Sequence, residues 1–228
     1  MEKQAVVWTS TYERMKRKFV LCLIGVNLCW GLGFYGYHSI AYKPLLTELR
    51  QVFDGEKEMS LNQMKQSVHD LKVRGEILQY LRTKGMSLGQ GLDISDGIMT
   101  ETKAHNLPVD LVMGVIKTES EFSVTAKSSQ GALGIMQIMP VTWNDMVKKL
   151  NLGVGIQAAF DPRMNIKVGC AKLRELVDFY TKPGRSDVEV RKLTLSAYNA
   201  GEGGGVQPGY VSKVSKTSKE FVSFRGVR

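Results

Sequence analysis

Residues 19–42 contain no Lys, Arg, Asp or Glu. Roughly 20 apolar residues suffice to cross a bilayer as a helix, so a run of this length constrains the chain more than any other feature. Arg14, Lys16, Arg17 and Lys18 precede it and only Lys43 follows at once. The positive-inside rule then keeps residues 1–18 in the cytoplasm and exports the remainder, making the chain a single-pass membrane protein. Trp30, Tyr35, Tyr37 and Tyr42 gather at the far end, where an aromatic belt would lie. A cleaved signal peptide is the competing reading. Its best small-residue site, Ser39-Ile40-Ala41, is a poor one and its basic region would be unusually long.

Composition removes several classes. Three cysteines cannot make a paired disulfide framework. Cys22 and Cys29 sit in the apolar run, and Cys170 falls on the apolar face of a later helix. No CxxC, HExxH or GxxxxGK[ST] motif occurs, which argues against a dedicated zinc site and a P-loop nucleotide machine. Residues 1–18 carry five Lys/Arg against two Glu, and residues 19–42 none, so +6 of the formal +9 falls on residues 43–228. A basic exported domain could face anionic lipid, nucleic acid or an anionic wall polymer. No helix-turn-helix pattern or aromatic-basic alternation is visible, so nucleic acid is not the expected partner.

Past the apolar run the pattern is helical. Residues 43–89 read as a juxtamembrane region. Within it Ser60-Leu61-Asn62-Gln63 looks like a capping box that starts a helix. Leu61, Met64, Val68, Leu71 and Leu78 then form one apolar stripe, expected to pack on the following domain, with pairing to a second copy as the alternative. Residues 85–91 read as a loop. From residue 90 to 228 helix follows helix: one near residues 94–105, one opening at Pro108, one at Asp161-Pro162, and one over residues 188–197. The expected fold is all-α.

Glu119 is the informative carboxylate. It follows Ile116, Val115 and Val112 by three, four and seven residues, so it projects from an apolar helix face. Desolvation there raises a carboxyl pKa and lets it hold a proton near neutrality, as a general acid at a glycosidic oxygen must. A glutamate bonded to a nearby loop at a helix end is the alternative. Glu121 lies about 200° around the helix and is expected in solvent. The following segment, residues 128–140, offers Ser128 and Gln137 as hydrogen-bonding groups and Met136 as an apolar surface for a sugar face. Ala197-Tyr198-Asn199-Ala200-Gly201 ends a later helix with an aromatic, an amide and a glycine cap.

Four blocks, in order over residues 90–211, resemble the soluble-lytic-transglycosylase family, whose catalytic domain is lysozyme-like of the goose type. They are Glu119-Ser120-Glu121-Phe122, the segment from Ser128 to Pro140, the stretch from Phe160 to Leu173, and Ala197 to Gly201. The resemblance implies a peptidoglycan glycan strand as substrate. It implies cleavage between N-acetylmuramic acid and N-acetylglucosamine, leaving a 1,6-anhydro end. It makes Glu119 the single catalytic residue, first acid and then base, with no metal or organic cofactor expected. It lines the glycan groove with Ser128, Met136, Gln137 and Tyr198, with Asn199 shaping it. A tyrosine of the family contacts the catalytic glutamate, and Tyr210 is its counterpart here. The connection before Tyr210 is shorter than the family's, so a surface tyrosine is the alternative at that position.

Two other readings stay open at this stage. One is a muramidase that adds water, with Asp161 or Glu202 as its second acid. The other is an inactive wall-binding or assembly protein on the same fold. A tethered enzyme of this size would suit a secretion, conjugation or phage apparatus that crosses the envelope, and general wall turnover is equally allowed.

Overall fold

The computed structural model describes Lys18 and residues 43–226. The run at residues 19–42, with Cys22 and Cys29, lies outside the described residues, and so does most of the basic tail. Among the described residues no helix is long and apolar enough to cross a membrane. The chain divides into two compact units, Met1–Gln66 and Ser67–Arg228.

The all-α expectation holds among the described residues. Among the described residues the α-helices from residue 43 on are α1 (Lys43–Thr83), α2 (Leu88–Ala104), α3 (Val109–Ser120), α4 (Pro140–Lys149), α5 (Pro162–Tyr180), α6 (Asp187–Ala200) and α7 (Pro208–Gly226). A 3-10 turn, Ile156–Phe160, leads into α5. Asp161 caps α5 as expected, accepting a hydrogen bond from the Met164 amide at 2.8 Å, with Pro162 next in line.

Two expectations about the first helices are corrected. Residues 60–63 do not start a helix but lie inside α1. Nothing before Ser60 stops a helix, and Glu56, Lys57, Glu58 and Met59 all favour one. The closely similar tetrapeptide Ser87-Leu88-Gly89-Gln90, read as loop, is the true cap. Gly85 turns the chain through φ +83°, and Ser87 arrives extended. Its hydroxyl then accepts from the Gln90 amide at 3.3 Å and donates to the Gln90 side-chain oxygen at 3.1 Å.

The apolar stripe is corrected too. Leu61, Met64, Val68 and Leu71 are exposed, and Leu78 is half-buried. The face that packs in the second unit is Val73, Ile77, Tyr80 and Leu81. These join Ile94 and Ile98 of α2, Val112 to Ile116 of α3, Ile166, Cys170 and Leu173 of α5, Leu195 of α6, and Val214 and Phe221 of α7 in one core. Each such side chain contributes about 2 kcal/mol when fully buried. Cys170 is thus a core residue, as expected.

Helix α3 crosses α7 at close range, and Gly114 permits it. A Cβ there would collide with the Ser218 hydroxyl and stand 2.9 Å from the Val214 carbonyl oxygen. The Gly114 carbonyl accepts from Thr217 Oγ1 at 3.0 Å and from Thr118 Oγ1 at 2.7 Å. A second clamp gathers on Glu220 of α7, which accepts from Tyr80 at 2.9 Å, from Lys84 at 3.0 Å and from Lys117. The Tyr80 ring meets Phe122, Phe221 and Phe224 edge-on, with centroids 6.0, 5.3 and 5.2 Å away.

Candidate active site

Glu119 sits in the last turn of α3 and is half-buried. Helix α3 ends abruptly beyond it. Glu121 and Phe122 both adopt left-handed backbone, at φ 51° and 70°. Such conformations are costly for residues with a side chain and persist only where the surroundings fix them. Here Phe122 is buried in the core, and Ser120 Oγ donates to the Ile135 carbonyl at 2.7 Å, fastening the helix end to the following loop. Glu121 points into solvent, as expected.

Tyr210 reaches the acid. Its hydroxyl donates to Glu119 Oε1 at 2.5 Å. The short glycine connection accomplishes this because it is a tight turn. The Gly204 amide donates to the Gly201 carbonyl at 3.0 Å, and the Gln207 amide to Ser196 Oγ at 2.9 Å. Pro208 then opens α7 at once, so Tyr210 lies in its first turn.

The electrostatics follow from this pair. Burial pushes the Glu119 carboxyl above its ordinary pKa, and the Tyr210 hydroxyl, which favours the carboxylate, partly opposes the rise. Asp161 is occupied in capping α5, and Glu202 is paired with Lys172 at 3.1 Å. Burial and the nearby Glu119 charge both raise the Tyr210 and Tyr198 phenols, so each stays a neutral donor.

The remaining expected site residues divide into two groups. Gln137, Tyr198 and Asn199 line a cavity of about 500 Å³, together with Gln130, Lys172 and Glu202. Glu119 is not among its lining residues, but its charge is felt at Tyr198, which is. Ser128 and Met136 do not line it. Ser128 Oγ instead accepts from the Ala132 amide at 3.0 Å and folds the loop. Reading Met136 as an apolar surface for a sugar is corrected: its side chain has no exposed area and packs on Gly169. Its backbone does the positioning, the amide donating to Asn165 Oδ1 at 2.8 Å and the carbonyl accepting from Tyr198 at 2.9 Å.

Asn165 was not singled out from the sequence. It is fully buried, and its Nδ2 donates to the Leu133 and Ala159 carbonyls at 3.1 and 2.7 Å. An amide next to Ile166 on the apolar side of α5 is the signal that marks it. Lys172, midway along α5, carries no such signal in the sequence.

The 70 kDa soluble lytic transglycosylase SLT70 from Escherichia coli shares the fold. It aligns with 67% of this chain and 30% of its own at a TM-score of 0.51 and 22% identity. A protein called transglycosylase from Enterobacteria phage PRD1 is 36% identical over 116 residues, covering 49% of this chain and 38% of the phage protein. Membrane-bound lytic murein transglycosylase C from Mannheimia succiniciproducens is 31% identical over 105 residues, covering 45% of this chain and 29% of that protein. This chain thus spans less than half the length of these relatives. The transglycosylase SLT domain matches residues 97–219, which include Glu119, the cavity-lining residues and Tyr210, and the chain belongs to that family.

Proposed function

We propose that this chain is a peptidoglycan lytic transglycosylase that cleaves between N-acetylmuramic acid and N-acetylglucosamine and leaves a 1,6-anhydro end. The observation that carries the reading is the half-buried carboxyl at Glu119 with a phenol as its partner. Burial keeps the proton available for the leaving oxygen, and the Tyr210 hydroxyl steadies the carboxylate formed when it departs. The same carboxylate then takes the proton from the muramyl 6-hydroxyl, so no second acid is required. A water-adding enzyme would ordinarily need that second acid roughly 5–9.5 Å away.

In this reading Gln137, Tyr198 and Asn199 line the groove for the glycan strand, and Ser128 and Met136 hold the loop that shapes it. Residues 1–18 form a cytoplasmic tail, 19–42 an inner-membrane anchor and 43–89 a juxtamembrane region, with the catalytic part, 90–228, outside the inner membrane. The names of the relatives, a membrane-bound murein enzyme and a phage transglycosylase, agree with a wall-directed role.

Purified sacculi digested with the full chain, with the products weighed by mass spectrometry, test the proposal. Anhydro ends are expected. Ends one water heavier would make the chain a muramidase, and intact sacculi would make it a binding or assembly protein.

A further inference from the structure

Lys117 and Glu119 are two residues apart on α3, so their side chains leave the helix about 200° apart. Both are tied to α7, on opposite sides of the point where the two helices cross. Glu119 meets Tyr210, four residues before Val214, and Lys117 meets Glu220, three residues after Thr217. The crossing itself lies between, where the Gly114 carbonyl accepts from Thr217 Oγ1 at 3.0 Å and Thr118 Oγ1 stands 3.2 Å from the same hydroxyl. With a rise of 1.5 Å per residue, the two ties are about 15 Å apart along α7. Helix α7 is thus a beam with its pivot at Gly114 and one tie on each arm.

The Glu220 arm is fastened to α1 as well as to α3. Glu220 Oε1 accepts from the Tyr80 hydroxyl at 2.9 Å and from Lys84 at 3.0 Å, and Lys117 Nζ stands 3.4 Å from that same hydroxyl. Tyr80 is buried and its ring meets Phe221, so the hydroxyl is a fixed point. One turn on, Arg225 Nε donates to Glu76 of α1 at 2.5 Å. We propose that Glu220 is a positioning residue for Glu119: held by Lys117, Tyr80 and Lys84, it fixes the angle at which α7 crosses α3 and so keeps the Tyr210 hydroxyl on the carboxyl. A swing that opens the Glu220 arm displaces Tyr210 on the other, and a hydrogen bond weakens steeply once its distance and angle are lost. Glu220 does not line the cavity, so it acts through Tyr210 alone. Tyr80, Lys84 and Glu220 all fall outside the residues matched by the family, 97–219, so α1 sets the geometry of the acid from beyond that match. The inference rests on Glu119 being the acid of the proposed reaction.

The test titrates the Glu119 carboxyl in the full chain by carbon-13 NMR, the resonance being assigned by its loss in Glu119→Gln. Tyr210→Phe should raise the titration midpoint, because the phenol favours the carboxylate. Glu220→Gln should raise it too, and lower turnover on sacculi by up to about tenfold, the worth of one hydrogen bond. Charge alone has the opposite sign: removing the Glu220 carboxylate and freeing Lys117 both favour an ionised Glu119, so a rise reports the lost bond. Tyr80→Phe takes one neutral donor from Glu220 and should move the midpoint the same way by less. Added to Tyr210→Phe, Glu220→Gln should raise the midpoint no further, because both act through one bond. Unfolding midpoints confirm that each variant is measured folded, and Tyr80→Phe decides if Glu220→Gln is not. A Glu119 midpoint unchanged or lowered in these variants, or effects that add in the double variant, overturns the positioning role. Sacculi left intact by the wild type overturn the lytic reading instead, and the titration still decides the role of Glu220.

Discussion

Tyr210 and Glu119, ninety-one positions apart, are joined by a hydrogen bond of 2.5 Å between the first turn of α7 and the last turn of α3. That bond opposes the burial that raises the glutamate. Tyr210→Phe removes the opposition, so the carboxyl should hold its proton to higher pH. The alkaline limb of the pH–rate profile, where the acid loses its proton, is expected to move upward, with turnover falling on the order of tenfold and glycan affinity changing less. Rates on sacculi from pH 4 to 8 check both, and an unmoved profile would detach Tyr210 from the chemistry.

Glu119→Gln separates activity from stability. Activity should drop by roughly 10²–10⁴, the usual contribution of acid–base catalysis. Stability should change in the opposite direction. A carboxyl whose folded pKa is raised from 4.5 adds stability below that value and loses it as pH rises through the folded one. The amide variant should therefore melt higher than wild type at pH 7, and the gap should close as pH falls below the ordinary carboxyl value of 4.5. Thermal melts at the two pH values measure it.

Gly114→Ala tests the helix crossing that brings Tyr210 to Glu119. The added methyl meets Ser218 and the Val214 backbone, so the two helices must separate. Overpacking of this kind costs about 1–3 kcal/mol. Activity should fall further than stability alone explains, because the tyrosine moves with its helix. A melt and a rate measured well below the midpoint distinguish the two losses.

Glu220 carries a contribution of the reverse sign. Lys117 above all, then Lys84 and Tyr80, hold its carboxyl down to about 2 against some desolvation. The stability it adds is present above the ordinary value of 4.5 and disappears as pH falls through about 2. Its side chain is 42% exposed, so solvent screening limits the effect to under about 1 kcal/mol. Acid titration of Glu220→Gln should show a flatter stability curve in that window than wild type does.

The proposed anchor at residues 19–42 is checked by fractionation. The full chain should stay with membranes through a carbonate wash, and a chain lacking residues 1–42 should be released. Recovery of a shortened soluble form from cells producing the full chain would establish cleavage instead.

Periodicity made part of this site legible. Glu119 could be placed on an apolar face because the helix repeat fixes where each side chain points, and its burial agrees. Loops carry no such repeat. Met136 stands in a segment whose side-chain directions depend on Asn165 and Gly169, so its inward orientation was not readable. The two Ser-Leu-x-Gln tetrapeptides make the same point for the fold. A capping signal acts only where the chain before it has left the helix, and that depends on Gly85 rather than on the tetrapeptide. Tyr210 depended on a turn whose reach is set by the Gly201 and Ser196 bonds, not by its length.

The family match begins at residue 97, yet Val73, Ile77, Tyr80 and Leu81 are sealed in the same core as Ile98 and Ile116. Those four side chains together contribute roughly 6–12 kcal/mol of burial, comparable with the whole net stability of an ordinary domain. A fragment cut at the family boundary would lack one wall of its own interior. In evolution, any recombination that moves this domain into a new protein has to carry residues 67–96 with it, or find a substitute helix in the new host.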